Sequence, residues 1–287
     1  MSAHYQQPLA THPPTSVSFR SGGGLKLMGI LNVTPDSFSD GGLHACTKAA
    51  VEHALGMEKA GADLLDIGGQ STRPGYEEIT VAEEIARILP VLTALHARTS
   101  LPLSIDTYKP EVAKAALKAG ASILNDIHGF QLHPEMADIA AAYGCKVILM
   151  HQEPDFKETG GDTIERITTY LAKSVSIATA AGLALDHIIL DPGIGFTKTQ
   201  QQNLEILGRL AELRTLKCPL LLGASRKSVI GYALDLPVHE RLEGTLATTT
   251  LAVWQGVEYL RVHDIIANLR AARMAAAIRA QSAHSHG

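Results

Sequence analysis

Polar side chains stand at or just after the ends of a series of short apolar runs, where core packing does not require them. They are Asn32, Asp66, Asp106, Asn125, His151, Asp191, Ser225, Arg261 and His263. Asp191 before Pro192 can equally serve a turn, and Asp106 can help to cap the helix that follows it. Turn chemistry explains single positions but not the whole series. We therefore expect these side chains to share a functional site.

The types of these side chains indicate a ligand that combines a heterocycle with an anion. A carboxylate such as Asp106 or Asp191 can accept two parallel N–H bonds from an amino-pyrimidinone, and Lys227 can donate to a ring carbonyl or nitrogen. Arg261 and His263 together are suited to hold an anion.

Two further stretches offer hard oxygen ligands and hydrogen-bond donors. Asn32 and Asp36 carry oxygen atoms suited to Mg²⁺, which binds through few protein ligands together with phosphate oxygens. The stretch 223–228, GASRKS, places small residues and donors before a helix, which suits a carboxylate or a phosphate. The residues by themselves predict a heterocycle with a phosphorylated or carboxylated anion, bound with Mg²⁺.

Short apolar runs alternate with longer amphipathic stretches along the chain. The predicted strands are Leu27–Asn32, Asp63–Ile67, Leu103–Asp106, Ser122–Asn125, Lys146–Met150, His187–Asp191, Leu220–Gly223 and Glu258–Val262. The clearest helical segments are Thr47–Ala60, Val81–Thr99, Pro110–Ala119, Thr163–Ala181 and Gly244–Gln255, and several segments end at a glycine: Gly61, Gly120, Gly144, Gly182 and Gly256. Eight such units over about 250 residues predict an α/β fold, a single (β/α)8 TIM barrel, whose strand ends converge on one face.

An open doubly wound sheet is the alternative fold. It usually carries a glycine-rich dinucleotide fingerprint after its first strand, and Gly29–Asn32 has no such sequence. We also expect a short N-terminal hairpin, formed by Val17–Arg20 and Leu25–Lys26 around three glycines, at the bottom of the barrel.

Composition and charge exclude several classes of protein. The net charge of -4 argues against a nucleic-acid-binding surface, and no stretch of about 18 or more apolar residues could span a membrane. The three cysteines are far apart and lack metal-site spacing, as is typical of reduced thiols in a cytoplasmic protein. Residues 1–16, which lack an apolar signal-peptide core, and residues 281–287 are expected to be disordered, which leaves 17–280 as one domain.

Long motifs in this chain resemble those of dihydropteroate synthases. The first runs from Met28 to Gly42, MGILNVTPDSFSDGG, and the second from Asp66 to Gly75, DIGGQSTRPG. Shorter motifs follow in the order of the family: Ile105–Thr107, Asn125–Asp126, Leu190–Phe196, Ser225–Ser228 and Arg261–Asp264. The resemblance extends from Met28 to the C-terminal helix, and the first two motifs are too long and specific for a chance match.

Two positions depart from the family pattern. Gln70 stands where the family usually has glutamate, and we expect little effect on binding. After Met150 and His151 the family often continues Met-x-Gly, whereas this chain continues Gln152–Pro154. The second departure bears on the conformation of the fifth loop rather than on the core site.

The resemblance implies a role for each matching residue. The dihydropterin ring would contact Asp106, Asn125, Met150, Asp191, Phe196, Gly223 and Lys227. The pyrophosphate would contact Asn32, Arg73, Arg261 and His263, and p-aminobenzoate would contact Thr72, Arg73, Pro74 and Ser228. Asn32 would also bind Mg²⁺, with Asp36 as a further candidate.

The activity that the resemblance implies is a transfer reaction in folate biosynthesis. It joins 6-hydroxymethyl-7,8-dihydropterin pyrophosphate to p-aminobenzoate and releases pyrophosphate. No general base is assigned, because the arylamine is neutral and nucleophilic at pH 7. The resemblance also implies a homodimer through outer helices and the sulfonamide-sensitive type of synthase, since Ser71–Gly75 is uninterrupted.

Two other functions stay open at this point. A methyltetrahydrofolate-dependent corrinoid methyltransferase would share the aspartate and asparagine set but would handle no pyrophosphate. Ser225–Ser228 and Arg261–His263 favour the synthase. A barrel kept only for binding or assembly would not need intact polar residues at its strand ends.

Overall fold

Strands and helices alternate along residues 24–33, 42–70 and 77–284, the part of the chain that this computed structural model describes. The strands are β1 (Lys26–Asn32), β2 (Leu64–Gly68), β3 (Leu103–Asp106), β4 (Ile123–Asp126), β5 (Lys146–Met150), β6 (Ile188–Asp191), β7 (Leu221–Leu222) and β8 (Tyr259–Val262). The α-helices are α1 (Gly42–Ala60), α2 (Val81–His96), α3 (Pro110–Lys118), α4 (Glu135–Tyr143), α5 (Thr163–Ala180), α6 (Gln200–Gly208), α7 (Ser228–Leu234), α8 (Leu242–Trp254) and α9 (Ile265–His284). Both α7 and α8 follow β7, and every other strand is followed by one α-helix.

The strands are parallel and form one sheet in the order β6-β5-β4-β3-β2-β1-β8-β7. At the remaining gap, Leu190 of β6 bridges to Leu220, and its N–H donates to the carbonyl of Pro219 at 2.9 Å. The sheet therefore closes on itself. This closure confirms the predicted (β/α)8 barrel and excludes the open doubly wound sheet.

The strands separate two apolar regions, because successive side chains point to opposite faces of a sheet. Outward residues such as Leu65, Ile105 and Leu149 pack against the helices in the main core. Inward residues form a separate layer inside the barrel: Met28, Leu64, Ile123, Ile148, Ile189, Leu221 and Tyr259. This inner layer fills the barrel below the strand ends.

Helix ends follow local sequence signals. Asp162 accepts hydrogen bonds from the N–H groups of Ile164 and Glu165 at the start of α5, and Thr199 with Gln202 forms a capping box at the start of α6. The glycines predicted to stop helices all have positive φ: Gly61, Gly120, Gly144, Gly182 and Gly256. That part of the sequence prediction is confirmed.

The sequence pattern misplaces some element boundaries and does not reveal α4, α6 or α7. These helices are short, with 9, 9 and 7 residues. In the N-terminal part, Lys26 begins β1 instead of a hairpin, and Val17–Arg20 lies outside the described residues, as do residues 1–16.

At the other end of the chain, α9 continues to His284, so 281–284 of the expected disordered tail is helical. Within the described ranges, no helix is long and apolar enough to cross a membrane.

Candidate active site

The polar residues predicted from the strand ends lie at one end of the barrel. Those on the strands face the barrel interior, as the residues of the inner apolar layer do. Four of them stand two residues after a member of that layer: Asp66, Asn125, Asp191 and Arg261. A step of two residues along a strand returns to the same face. These side chains therefore project into the mouth of the barrel, at the carboxyl ends of the strands.

Asp66 is fully buried at this mouth and joins two of the predicted residues. Its Oδ2 accepts a hydrogen bond from Asn125 Nδ2 at 3.1 Å and another from Arg261 Nε at 2.6 Å. Arg261 Nη2 also donates to Asp106 Oδ2 at 2.9 Å. The buried Oδ1 atoms of Asp66 and Asp106 have no hydrogen-bond partner among the described residues. Each carboxylate thus keeps an acceptor for a ligand.

Burial shifts the pKa of three groups in the mouth, Asp106, Asp191 and Lys227, in the direction that favours their neutral forms. Burial raises the pKa of Asp106 to about 7, although the Arg261 guanidinium opposes that rise. Burial likewise raises the pKa of Asp191, against the opposing charge of Lys227. Lys227 in turn has a pKa lowered by burial to about 8, with Asp191 opposing the change. A ligand that donates N–H bonds to these carboxylates would favour their ionised form.

Lys227 reaches from the residue before α7 to the loop after β6. Its Nζ donates to the carbonyl of Ile194 and lies 4.6 Å from the centroid of the Phe196 ring. Phe196 packs against a small buried apolar cluster: Tyr108, Ile127 and Met150. Tyr108 and Ile127 follow their strands within loops, where an apolar residue gives no distinct sequence signal, and so they were not predicted.

A second pair of groups lies beyond β7 and β8. Ser225 Oγ is 3.0 Å from His263 Nδ1, and the backbone N–H of His263 donates to the same Oγ at 3.3 Å. Arg226 forms a two-point ion pair with Asp264, at 2.9 Å and 2.7 Å. Ser225 therefore fixes the orientation of the His263 ring, and Asp264 is paired with Arg226 rather than with Arg261.

Asn32 ends β1 next to Gly68 and Asp106. A Cβ atom built on Gly68 would lie 3.7 Å from Asn32 Oδ1 and 3.8 Å from Asp106 Oδ2, so both oxygens border the same space. No three His, Cys, Asp or Glu side chains group as metal ligands in the described ranges. The donor set fits a cation that takes one amide oxygen from the protein and the rest from phosphate and water. Asp36 lies outside the described residues.

The predicted p-aminobenzoate contacts are only partly within the described structure. Thr72, Arg73 and Pro74 lie outside it, and their roles stay predictions. Ser228 is the exposed first residue of α7, and its Oγ accepts a hydrogen bond from Gln200 Nε2 at 3.3 Å.

A buried network around Lys109 holds the residues on both sides of that undescribed segment. Lys109 Nζ donates to Gln70 Oε1 at 2.8 Å and to the carbonyl of Ile79 at 2.6 Å, and it pairs with Glu84 at 2.9 Å. Gln70 also accepts from the Ile79 N–H at 3.0 Å and donates to the Tyr108 hydroxyl at 3.2 Å. Gln70 therefore ties residue 79 to the end of β2, a role that its sequence position alone does not reveal.

The fifth loop is held to the next helix. Glu153, in the stretch that departs from the family pattern, pairs with Arg166 of α5 at 3.0 Å. Arg166 Nη1 also donates to the carbonyls of Phe156 and Thr159, at 2.9 Å and 2.8 Å. This loop therefore has its own set of contacts, and Met150 keeps its place in the apolar cluster with Tyr108 and Ile127.

Comparison with known proteins decides the family. Residues 28–263 match the family model described as pterin binding enzyme. The chain is 47% identical to a dihydropteroate synthase of Clostridium beijerinckii over 90% of this chain and 96% of the relative. It is 44% identical to that of Bacillus subtilis, over 96% and 95%. The chain belongs to the dihydropteroate synthase family of pterin binding enzymes.

Solved structures of the family share the fold of this chain. Dihydropteroate synthase from Clostridium difficile, in the presence of pteroic acid, matches with a TM-score of 0.87 and 46% identity over 91% of this chain and 99% of that one. The Xanthomonas albilineans enzyme in complex with 7,8-dihydropteroate matches with a TM-score of 0.82 and 40% identity, over 90% and 94%. The resemblance seen in the motifs is confirmed, and the chain is a transferase of this family rather than a corrinoid methyltransferase.

Proposed function

We propose that this enzyme joins 6-hydroxymethyl-7,8-dihydropterin pyrophosphate to p-aminobenzoate, giving 7,8-dihydropteroate and pyrophosphate. The observation that carries the proposal is the buried network of Asp66, Asp106, Asn125 and Arg261 in a barrel mouth that also contains Asp191. Solved relatives support it, because one from Xanthomonas albilineans contains 4-aminobenzoic acid and another contains 7,8-dihydropteroate.

The pterin ring is assigned to the carboxylates and Lys227. Asp191 Oδ1 accepts from the Gly193 N–H at 2.7 Å, which fixes the carboxylate, while its Oδ2 lies 3.6 Å from a Cβ built on Gly223. A side chain at residue 223 would therefore take up space beside the acceptor, whereas glycine leaves it to the ring. Asp106 and Asn125 complete the polar edge, and Met150 and Phe196 line the apolar face.

The pyrophosphate is assigned to the open side of the same mouth. Asn32, His263 and Arg261 supply its contacts within the described residues, with Arg73 as a further contact from the second loop. Ser225 contacts His263 at its Nδ1 and so fixes the orientation of the ring that is assigned to the anion. Asn32 would hold Mg²⁺, and the ion, when bound, would supply positive charge to the phosphate oxygens.

The reaction separates into departure and attack. The bond between the pterin methylene carbon and the pyrophosphate oxygen breaks, and the electron pair leaves with pyrophosphate. The arylamine nitrogen then forms the new C–N bond to the cationic methylene and afterwards loses a proton to solvent. Three carboxylates (Asp66, Asp106 and Asp191) face two cations (Lys227 and Arg261), so the ionised mouth stabilises the positive charge of the methylene.

The p-aminobenzoate site is assigned to Thr72, Arg73, Pro74 and Ser228. A relative from Yersinia pestis, 40% identical with a TM-score of 0.83, was solved with a sulfonamide drug complex. We infer that sulfonamides, which resemble the arylamine, compete at the same place in this enzyme.

The assembly is proposed to be a homodimer through the outer helices. Large apolar side chains are exposed on α6, α7, α8 and α9: Leu204, Tyr232, Leu234, Leu251, Trp254, Ile266, Met274 and Ile278. The helices α6, α7 and α8 contact one another, and α8 packs on α9, so these residues belong to neighbouring surfaces. We further propose a cytoplasmic location, with which three cysteines that form no disulfide are consistent.

The direct test uses the purified full chain with dihydropterin pyrophosphate, p-aminobenzoate and Mg²⁺. We expect dihydropteroate and pyrophosphate in equal amounts, and an Asp191→Asn variant serves as the matched control. Absence of both products under conditions where a known family member is active would contradict the proposal.

A further inference from the structure

Lys198 is a mostly buried lysine that neither the motifs nor the proposed reaction uses. It lies in the loop between β6 and α6, and its Nζ has four acceptors within reach. They are His151 Nδ1 at 2.8 Å and the carbonyl oxygens of Gly193, Phe196 and His151 at 2.9, 3.1 and 3.3 Å. Burial lowers the pKa of Lys198 to about 7, with Asp191 opposing the change. Burying a lysine side chain costs free energy, so a lysine kept in this position indicates a specific role.

The acceptors of Lys198 join the end of β5 to the loop after β6. Burial lowers the pKa of His151 to about 2, so the ring is neutral and its Nδ1 lone pair can accept from the ammonium. The ring proton then lies on Nε2, 3.6 Å from Glu153 Oε2. Without Lys198, the carbonyls of Phe196 and His151 would lose this donor, and the carbonyl of Gly193 would keep the Phe196 N–H at 3.2 Å.

The loop that Lys198 holds is folded tightly onto His151. Gly193 has φ of 70°, and a Cβ atom there would lie 2.1 Å from the carbonyl oxygen of His151. On the other side, the buried Asn203 accepts from the Gly195 N–H at 2.7 Å. Lys198 therefore holds the carbonyls of Gly193 and Phe196, and Asn203 holds the N–H of Gly195 between them.

The same loop forms the wall of the proposed pterin pocket that contacts Lys227. It begins at Asp191, provides the Ile194 carbonyl that accepts from Lys227, and ends at Phe196, whose ring contacts Lys227. A change in the path of residues 193–196 would displace Phe196 and the anchor of Lys227 together.

We propose that Lys198 is a positioning residue that holds loop 193–196 in the shape that presents Phe196 and Lys227 to the pterin. This inference rests on the proposed assignment of the pterin ring to Asp191, Phe196 and Lys227. It predicts that loss of the Lys198 ammonium weakens pterin binding, while the chemistry and the binding of the second substrate are retained.

The test compares Lys198→Met, which keeps the aliphatic chain and removes the donors, with Lys173→Met on the exposed side of α5. Calorimetry with the full chain should give a pterin Kd about tenfold higher for Lys198→Met and unchanged for Lys173→Met. In steady state, KM for the pterin substrate should rise by a similar factor, with kcat and KM for p-aminobenzoate within about twofold of wild type. A general loss of structure would lower the active fraction without this split between KM and kcat.

A double-mutant cycle with Phe196→Ala tests the route of the effect. If Lys198 acts through the loop, the loss of pterin affinity in the double variant should be smaller than the product of the two single losses. Each single variant already disturbs the same wall of the pocket. Multiplicative losses, or unchanged pterin affinity in Lys198→Met, would overturn the inference. If Lys198→Met does not fold, Lys198→Ala, which removes the donors and leaves room for water beside the carbonyls, takes its place, and unchanged affinity there overturns the inference equally. Failure of the wild-type chain to bind the pterin would instead contradict the proposed function.

Discussion

At the scale of single residues, the mouth of the barrel brings opposite charges together in buried positions. Arg261 contacts Asp66 and Asp106, so its positive charge bears on the ring-binding carboxylates as well as on the proposed phosphate contacts. Truncation of Arg261 would leave two buried carboxylates without their cation, and loss of that opposing charge would raise the pKa of Asp106 further. A substitution there therefore reports on the pterin ring and the anion together.

The first prediction concerns the pH dependence of pterin binding. The pKa of Asp106 is raised to about 7 and that of Lys227 lowered to about 8. The carboxylate that accepts N–H bonds is lost as the pH falls through 7, and the ammonium is lost as the pH rises through 8. Affinity for a pterin without phosphates should therefore be greatest between these values and fall up to about tenfold per pH unit on either side.

The matched controls for that profile are single substitutions. Asp106→Asn should reduce the acid limb to the part contributed by Asp191, whose pKa is also raised, and Lys227→Met should remove the alkaline limb, each at the expense of maximal affinity. Calorimetry from about pH 5.5 to about pH 9.5, in buffers of constant ionic strength, measures the pterin affinity of all three proteins. A wild-type affinity that is flat over this range would contradict the assignment of these residues to the ring.

The second prediction separates binding from stability at Asp191. This carboxylate is buried with a raised pKa, so the folded state gains nothing from its charge, and Asp191→Asn should leave the free energy of unfolding within about 1 kcal/mol of wild type. Pterin binding should lose about 1.5–3 kcal/mol, the contribution of one charge-assisted hydrogen bond. Lys227→Ala should behave in the same way. Denaturant unfolding and calorimetry give the two numbers, and equal binding in both variants and wild type would exclude the proposed contacts.

At the scale of secondary-structure elements, the strand-end residues were predictable from the period of the strand, whereas the loop lysines Lys109 and Lys198 were not. A strand has a period of two, so its last polar residue must face the barrel mouth when the apolar residue two positions earlier faces the interior, as Ile123 and Asn125 show. Each of these two lysines contacts a partner far away in the sequence, Gln70 for Lys109 and His151 for Lys198, and a lysine in a loop looks solvent-exposed until the fold is known. Strand β7 is only Leu221–Leu222, shorter than its apolar run, because Leu220 instead bridges to β6.

The third prediction concerns the buried network at the second loop. Gln70→Leu removes the acceptor of Lys109 and of the Ile79 N–H, and the donor to Tyr108. We expect a stability loss of about 2–4 kcal/mol, because Lys109 and Ile79 lose a buried partner. KM for p-aminobenzoate should rise by more than KM for the pterin, since the proposed arylamine contacts 72–74 lie between residues 70 and 79.

Gln70→Glu is the informative comparison for that prediction. It keeps an acceptor for Lys109 and Ile79, and it restores the residue that the family usually has. Its KM for p-aminobenzoate should stay close to wild type. Equal effects of the two substitutions on both substrates would show that the network does not act on the second loop.

At the scale of the whole molecule, the active mouth and the proposed dimer surface occupy different parts of the barrel. The mouth is formed by the carboxyl ends of the strands, whereas Leu251 and Trp254 lie on the outer helix α8. Trp254 is 49% exposed, a large apolar side chain with no partner in a single copy of the chain as described here. A second copy would cover it without touching the ring-binding residues.

The fourth prediction tests this arrangement. Trp254→Glu should shift the chain toward the monomer in analytical ultracentrifugation, because a charge at the centre of an apolar interface is desolvated without compensation. Tyr143→Glu on α4, a residue of similar exposure at 50%, is the control and should leave the oligomeric state unchanged. Identical sedimentation of wild type and Trp254→Glu would place the dimer surface elsewhere or show that the chain is monomeric.

The two-residue step between the inner apolar layer and the mouth has a consequence for how this sequence can change. Asn125, Asp191 and Arg261 each stand on the mouth-facing side of a strand whose preceding inward residue is buried in the layer below. A point substitution at any of them alters one ligand contact and leaves the packed layer intact. Deletion of a single residue from the same strand reverses the phase, so that the charged group turns toward the helices and an aliphatic residue turns into the mouth. We therefore expect the sequence of such strands to change by substitution, with insertions and deletions confined to the loops.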